Sequence, residues 1–289
     1  MNAMRTTAAR LVTVAAVTFS AGAAAAATGP GGGLFSVRCL PSHTSADDPI
    51  VYPGMPGAAH LHQFFANRST SAFSTYLSMI QAATSCELAA DTAAYWIPML
   101  LTPSGTPVPA TTTLVYYRTP RRAPAEPFPP DLRMVTGGDT LLPTVLEDGR
   151  PDVSWSCSDN GPFFPQPSDC GDRALKAQIH FPSCWDGVRL DSPDHRAHMA
   201  FPTGGVCGDS HPVRLPKLSL SIAYRVRDAT GYGLSSDHAD MPSGTTLHAD
   251  FWQTWRDEVQ RFLVEQCVNM GRSCDRMTDN RVRAMGVLP

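Results

Sequence analysis

Four common catalytic signatures are missing from this chain. There is no Gly-X-Ser-X-Gly elbow, no His-Glu-X-X-His, no phosphate loop and no Gly-X-Gly-X-X-Gly opening a helix. Their absence removes the usual serine esterases, zincin proteases and nucleotide enzymes from first consideration. Cys-X-X-Cys is also lacking, which disfavours a cysteine-built zinc site. No basic stripe, lysine-rich run or helix-turn-helix pattern occurs, so nucleic acid is not an expected partner. Beyond the N-terminal segment no stretch approaches the ~20 apolar residues of a membrane helix, and no transmembrane segment is expected.

The N-terminal segment itself has the layout of a secretory signal peptide over residues 1–27. Arg5 and Arg10 give a basic start, Leu11 to Phe19 an apolar run, and Ala23 to Ala27 a stretch of small residues. Cleavage is expected between Ala25 and Gly29, giving a secreted, extracellular protein. Without Arg5 and Arg10, the 23 basic residues fall to 21 against 26 acidic ones, a net charge of about −5. Residues 28–34 read as a flexible N-terminal joint, and residues 35–289 as a single secreted domain.

All eight cysteines follow the signal segment, and export would hold them in an oxidising compartment. Eight cysteines allow on the order of a hundred pairings, and the count alone does not choose among them. Short loops containing glycine favour Cys184–Cys207, Cys267–Cys274 and Cys157–Cys170, leaving Cys39–Cys86. Each short loop would contribute roughly 2–4 kcal/mol by restricting the unfolded chain.

Short apolar runs separated by proline and glycine read as strands, among them Tyr95 to Leu101, Thr113 to Arg118, Leu132 to Val135 and Leu175 to Phe181. Leu218 to Val226 alternates strictly and reads as a half-buried antiparallel strand. Helices are expected over Ser74 to Leu88 and Phe251 to Val268. The second has an apolar stripe, Asp250 as N-cap with Gln253 completing a box, and Gly271 as its stop. Five prolines between Arg118 and Pro130 exclude regular structure there. The fold class is therefore α+β: one antiparallel β-rich domain with a C-terminal amphipathic helix, braced by disulfides.

Histidines supply the candidate site. His60-Leu61-His62 follows a turn-rich loop, and on a strand its two imidazoles would share a face. The upstream Asp47-Asp48 could reach over it. His195 and His198 lie in Asp194-His195-Arg196-Ala197-His198, a dozen residues after the turn Phe181 to Gly187. That turn offers Asp186 as a carboxylate and Trp185 as a stacking platform; their bland alternatives are an Asx turn and core packing. His60, His62, His195, His198 and Asp186 are the candidate acid/base groups, with His60, His62 and His198 as candidate ligands of a divalent transition metal. Tyr95, Trp96 and Trp185 are candidate substrate contacts. His248 is a minor candidate beside a structural Asp250, and His43, His180 and His238 lack a constellation. His62→Ala should remove activity or metal with little change in melting temperature, with His43→Ala as control.

Seven motifs then stand in order: His60 to Phe65 (HLHQFF), Asp91 to Pro98 (DTAAYWIP), Val115 to Tyr117, Phe181 to Gly187 (FPSCWDG), Asp194 to His198 (DHRAH), His211 to Val213 (HPV) and His248 to Phe251 (HADF). Together they resemble a domain-of-unknown-function family of secreted proteins from fungi and filamentous actinobacteria. The resemblance spans about Ser36 to Cys267. Some members look fused to carbohydrate- or cell-wall-binding modules, which implies a polysaccharide context, but no reaction comes with the family. Ala66 stands where glycine is expected, which puts the local turn in doubt.

Three functions follow as expectations. The first is an extracellular hydrolase or lyase acting on polysaccharide or cell-wall material through the histidine and carboxylate groups. The second is a non-catalytic binder of carbohydrate or of a transition metal. The third is a wall-associated structural protein whose histidines only form hydrogen bonds.

Overall fold

Strand dominates the computed structural model, which describes residues 32–119, 124–138 and 143–287. It contains 33% strand and 10% helix. The expected signal peptide over 1–27, residues 28–31 of the expected joint, and residues 120–123 of the proline-rich loop lie outside the described residues.

Two sheets carry the architecture. The larger runs, edge to edge, through Phe163–Phe164, Val153–Ser156, Lys176–His180, Lys217–Tyr224, Ala110–Arg118, Leu34–Cys39 and Ser273–Cys274. Only its last pair is parallel. The second sheet is antiparallel throughout, in the order Pro41–Ser45, His62–Ala66, Ala94–Pro98, His248–Trp252 and Arg133–Gly137. Two three-stranded ribbons, one centred on Cys184–Trp185 and one on Leu100–Leu101, complete the set.

The sheets share one interior. Val115, Tyr117, Leu218, Leu220, Ile222, Ala177 and Ile179 from the larger sheet join Phe65, Tyr95, Ile97, Met134, Ala249 and Phe251 from the smaller in one apolar cluster. Their sequence spacing of two puts them all on inner faces. Several polar atoms that reach the interior find partners there. The Tyr95 and Tyr117 hydroxyls meet at 2.7 Å, and Trp255 Nε1–H donates to the Tyr117 hydroxyl at 3.0 Å. Tyr95 also donates to the Asp91 carboxyl, whose pKa burial drives well upward. A smaller cluster of Ile50, Phe64, Met79, Ala94, Trp96, Val135 and Trp252 covers the outer face of the second sheet.

The expected strands are present, with Leu218 to Val226 appearing as Lys217–Tyr224. Both helices are much shorter than their sequence pattern. The first is Tyr76–Ile80, closed by a Thr75–Ser78 capping box. Beyond it Ser85 donates its N–H to Ala66 and Cys86 is bridged to Cys39, so the chain there serves the sheet instead. The second begins only at Asp257 and runs to Leu263, continuing as a π-helical stretch to Asn269. His248–Trp252 is a strand, so Asp250 caps nothing. Phe251 enters the shared interior while Trp252 enters the outer cluster. Adjacent aromatics buried on opposite sides belong to a strand, because a surface helix buries a single stripe.

Four disulfides join Cys39–Cys86, Cys157–Cys170, Cys184–Cys207 and Cys267–Cys274. Three are the pairs that short glycine-containing loops favour, and Cys39–Cys86, 47 residues apart, is the pair they leave. Ala66 closes its strand at φ 65°, the left-handed region in which glycine is unstrained. This accounts for the family's expected glycine at that turn.

The joint at 28–34 is not free at its C-terminal end. Leu34 begins a strand, and Gly33 lies so close to the helix end that a Cβ there would meet the Cys267 and Val268 carbonyl oxygens at 2.2 and 2.4 Å. A Cβ on Gly32 would meet nothing nearer than 3.8 Å. Gly33→Ala should therefore cost about 2–4 kcal/mol, while Gly32→Ala stays within roughly 0.5 kcal/mol. Paired urea titrations of the two variants check this.

Candidate metal centre

The second sheet brings three histidines and two aspartates together on its outer face. His62 opens the strand His62–Ala66 and lies opposite Pro98, while Asp250 lies opposite Trp96. The strands holding His62 and Asp250 both pair antiparallel with the central strand Ala94–Pro98, so they run in the same direction. His248, two residues before Asp250, consequently shares its face and reaches the end of the sheet where His62 stands. His60 and Asp48 arrive from the loop that precedes His62.

The groups converge. His60 Nε2 lies 3.2 Å from His248 Nε2, and the ring centroids of His60 and His62 are 4.2 Å apart. One ligand atom from each of His60, His62 and His248 falls within 4.8 Å of the others, and the same is true of Asp48, His62 and Asp250. His62 belongs to both groups. Nitrogens sharing an ion at ~2.0–2.1 Å stand roughly 3 Å apart, which is the His60–His248 spacing.

Backbone carbonyls orient the rings. His62 Nδ1 bonds the Asp47 carbonyl at 2.9 Å and His248 Nδ1 bonds the Thr246 carbonyl at 2.9 Å. With the proton on Nδ1, the Nε2 lone pair of each ring is turned toward the centre. Asp47 is held in turn, its carboxylate accepting from the Gly57 and Ala72 N–H groups.

Burial without compensation is the unusual property of this cluster. His62 is 0% exposed and Asp250 1%. His62 Nε2 and both Asp250 carboxyl oxygens have no hydrogen-bond partner. Burial first, then the neighbouring Asp48 charge, pushes the Asp250 pKa well up, with Arg196 pulling the other way. Asp48 is also raised by burial, although its carboxylate accepts from the Ile50 and Val51 N–H groups at 2.9 Å. Burial, then His60, pushes His62 down to about 3. Such a neutral imidazole is a ligand in waiting. A buried carboxylate with no donor is costly until a cation reaches it.

The other sequence-selected residues do not join this centre. His198 is fully buried, with Nδ1 on the Ser192 hydroxyl and Nε2 on the Arg133 carbonyl at 2.6 Å, so neither nitrogen is free for a metal. Asp186 accepts from the Val188 and Arg189 N–H groups and pairs with the Arg189 guanidinium, which makes it a turn residue. His195 turns to Asp191 at 2.9 Å from a left-handed backbone at φ 57°. It stays at the margin of the centre, where it lowers the Asp48 pKa.

The aromatic contacts are likewise committed elsewhere. Tyr95 and Trp96 are 0% exposed and cannot present a surface. Trp185 is half-buried against the interior and donates its indole N–H to the Arg189 carbonyl. His43 is bound through both nitrogens and stacks on Phe64 at 4.6 Å, so it is not an inert control. Because His62 is wholly enclosed, His62→Ala will reduce stability as well as any chemistry.

Asp250 is the member that the sequence pattern assigns to structure, and His248 is only a minor candidate there. Their spacing of two is the same signal that singled out His60 and His62, but it was masked by reading Asp250 as a helix cap. A third cluster, Cys39, Cys86 and Asp91, has its sulfurs in a disulfide and is no metal site.

No curated protein and no solved structure matches this chain. A family model described as a domain of unknown function (DUF1996) matches residues 48–255, an interval that runs from the first aspartate of the centre past its last. The chain belongs to that domain-of-unknown-function family, DUF1996.

Proposed function

We propose that this protein is an extracellular metalloprotein, residues 35–289 acting as one secreted unit. His60, His62 and His248, with Asp48 and Asp250, would hold a divalent transition metal. The observation that carries the proposal is the wholly buried Asp250 carboxyl facing the partnerless Nε2 of His62. Mixed imidazole and carboxylate donors suit zinc or copper. Four disulfides are consistent with an extracellular setting, and among the described residues no helix is long and apolar enough to cross a membrane.

The activity we assign to the centre is metal-assisted hydrolysis or lyase chemistry on polysaccharide or cell-wall material. A bound ion would supply Lewis acidity and lower the pKa of its water. His60 and His248 are only half-buried, so the centre opens to solvent between them while His62 and Asp250 close its inner side. Arg196 stands at the same edge, donating to the Gly137 carbonyl at 2.7 Å, and offers a cation to an incoming oxyanion. Non-catalytic metal storage is the second reading, favoured by the complete enclosure of two of the five groups.

Elemental analysis of the purified protein should find about one transition-metal equivalent per chain, lost with a chelator and restored by added zinc or copper. His62→Gln and His248→Gln should each retain under about a tenth of it. Failure of the native and reconstituted protein to hold metal would remove the proposal. Metal-dependent product release from a panel of wall polysaccharides separates the enzyme from the storage reading.

Asp250→Asn gives a second check. In metal-free protein at neutral pH the variant should melt several degrees higher than the parent, because the parent must bury a charge or take up a proton to fold and the amide does neither. With metal added, the order should reverse, since the parent gains the binding energy and the variant does not. A variant less stable than the parent without metal would show that Asp250 already has a stabilising partner.

A further inference from the structure

A second, chemically different site lies on the outer face of the larger sheet. A cleft of about 520 Å³ opens there, and none of the five metal-centre residues lines it. Its floor is made of side chains two residues apart on three neighbouring strands: Tyr116 and Arg118, Ser219 and Ser221, Gln178 and His180. Register aligns them in cross-strand rows. Ser219 stands between Tyr116 and His180, and Ser221 is opposite Gln178. The loop segments 145–150 and 201–204 wall the cleft.

This face is polar, yet it is sheltered. Ser219, Ser221 and Gln178 are 4%, 6% and 6% exposed. An ordinary polar sheet face lies open to water, so hydroxyls and an amide placed under loops are the marks of a receptor surface. Phe201 adds apolar wall.

Charge in the cleft is unevenly satisfied. Lys217 lies 3.9 Å from Glu147, Arg150 lies 3.5 Å from Asp148, and the lining Asp159 is paired with Lys176 at 2.7 Å. Arg118 makes no ion pair among the described residues. Its guanidinium sits 4.0 Å over the Tyr116 ring and donates one hydrogen bond, from Nη1 to Ser219 at 2.5 Å. Guanidinium has five N–H donors in a planar fork that matches a carboxylate. His180 stands beside it with no hydrogen bond to its ring among the described residues, and burial together with Arg118 keeps that imidazole neutral, its pKa pushed down to about 4. A neutral imidazole can donate or accept.

Ser221 donates to Asp159 at 2.7 Å and accepts from Gln178 at 3.1 Å, so these three form one polar array on the floor. We propose that this cleft binds an acidic saccharide, its carboxylate on the Arg118 fork and its hydroxyls on Ser219, His180 and the remaining lone pairs and N–H of the Asp159–Ser221–Gln178 array. The Tyr116 and Phe201 rings supply the apolar surface on which a sugar ring packs. A neutral sugar would leave the fork without a partner. A simple inorganic anion would leave the hydroxyl rows and the aromatic walls unused. The site needs no metal, so it stands apart from the centre proposed above.

Calorimetric titration in chelator-containing buffer keeps the two apart. The probes are trigalacturonate, an oligoglucuronate, an oligomannuronate, and the methyl ester of trigalacturonate, which keeps the shape and removes the charge. At least one of the three acids should bind with Kd below about 1 mM. For trigalacturonate as that acid, the ester should bind at least tenfold more weakly. Arg118→Lys, which keeps the charge but loses the fork, should weaken binding about tenfold, and Arg118→Gln should abolish it. His180→Gln, at a ring that makes no hydrogen bond among the described residues, serves if Arg118 variants do not fold, and should weaken binding severalfold. Binding of none of the acids, equal binding of acid and ester, or unchanged binding by the folded variants would each overturn the proposal.

Discussion

Side chains alternate across a strand, and in this protein two sheets spend one half of that alternation on each other. Tyr117, Leu220 and Ile179 face inward from the larger sheet, and Tyr95, Phe251 and Ala249 from the smaller. Their neighbours in sequence must then point away from the interior. This constraint decides where chemistry can sit. His62 and Asp250 are outward residues of the second sheet; Arg118, Ser219 and His180 are outward residues of the first. Both proposed sites are what remains of each strand once the shared interior has taken its half.

Two unlike solutions to polar burial follow. In the interior the polar atoms of Tyr95, Tyr117 and Trp255 form a closed arrangement, exchanging hydrogen bonds beside Asp91, whose pKa burial raises. Such a network links the sheets and asks nothing of the solvent. The outer face of the second sheet differs at His62 and Asp250, whose atoms are buried with nothing to bond. Titratable groups left unsatisfied side by side in one buried place mark function more often than stability.

Much of this was legible in the residues. Alternation over 218–226 located a central strand, loop length paired the cysteines, and His60-X-His62 located one side of the centre. The rest failed for identifiable reasons. Phe251, Trp252, Trp255 and Val259 satisfy helical spacing well, so the strand His248–Trp252 was absorbed into a longer helix and Asp250 became its cap. Period alone does not separate a short strand from the first turn of a helix that follows closely. His198 and Asp186 were chosen by proximity in sequence, but local turn and backbone hydrogen bonds consume them. Arg118 drew no attention, because its unpaired state depends on strands more than 60 residues apart in sequence meeting edge to edge. Sequence offers no period for that.

Leu34 and Phe35 lie alongside Ser273 and Cys274 in the one parallel pair of the large sheet, with Gly33 seated against the helix end and Cys274 bridged to Cys267. The first described strand and the last are thus sewn together at one edge. A protease or a tensile load working inward from the N-terminal side meets sheet at once, and one from the C-terminal side meets the helix Asp279–Ala284 and then the bridged strand. In the extracellular setting with which the four disulfides are consistent, where no chaperone repairs a frayed end, that arrangement would favour longevity.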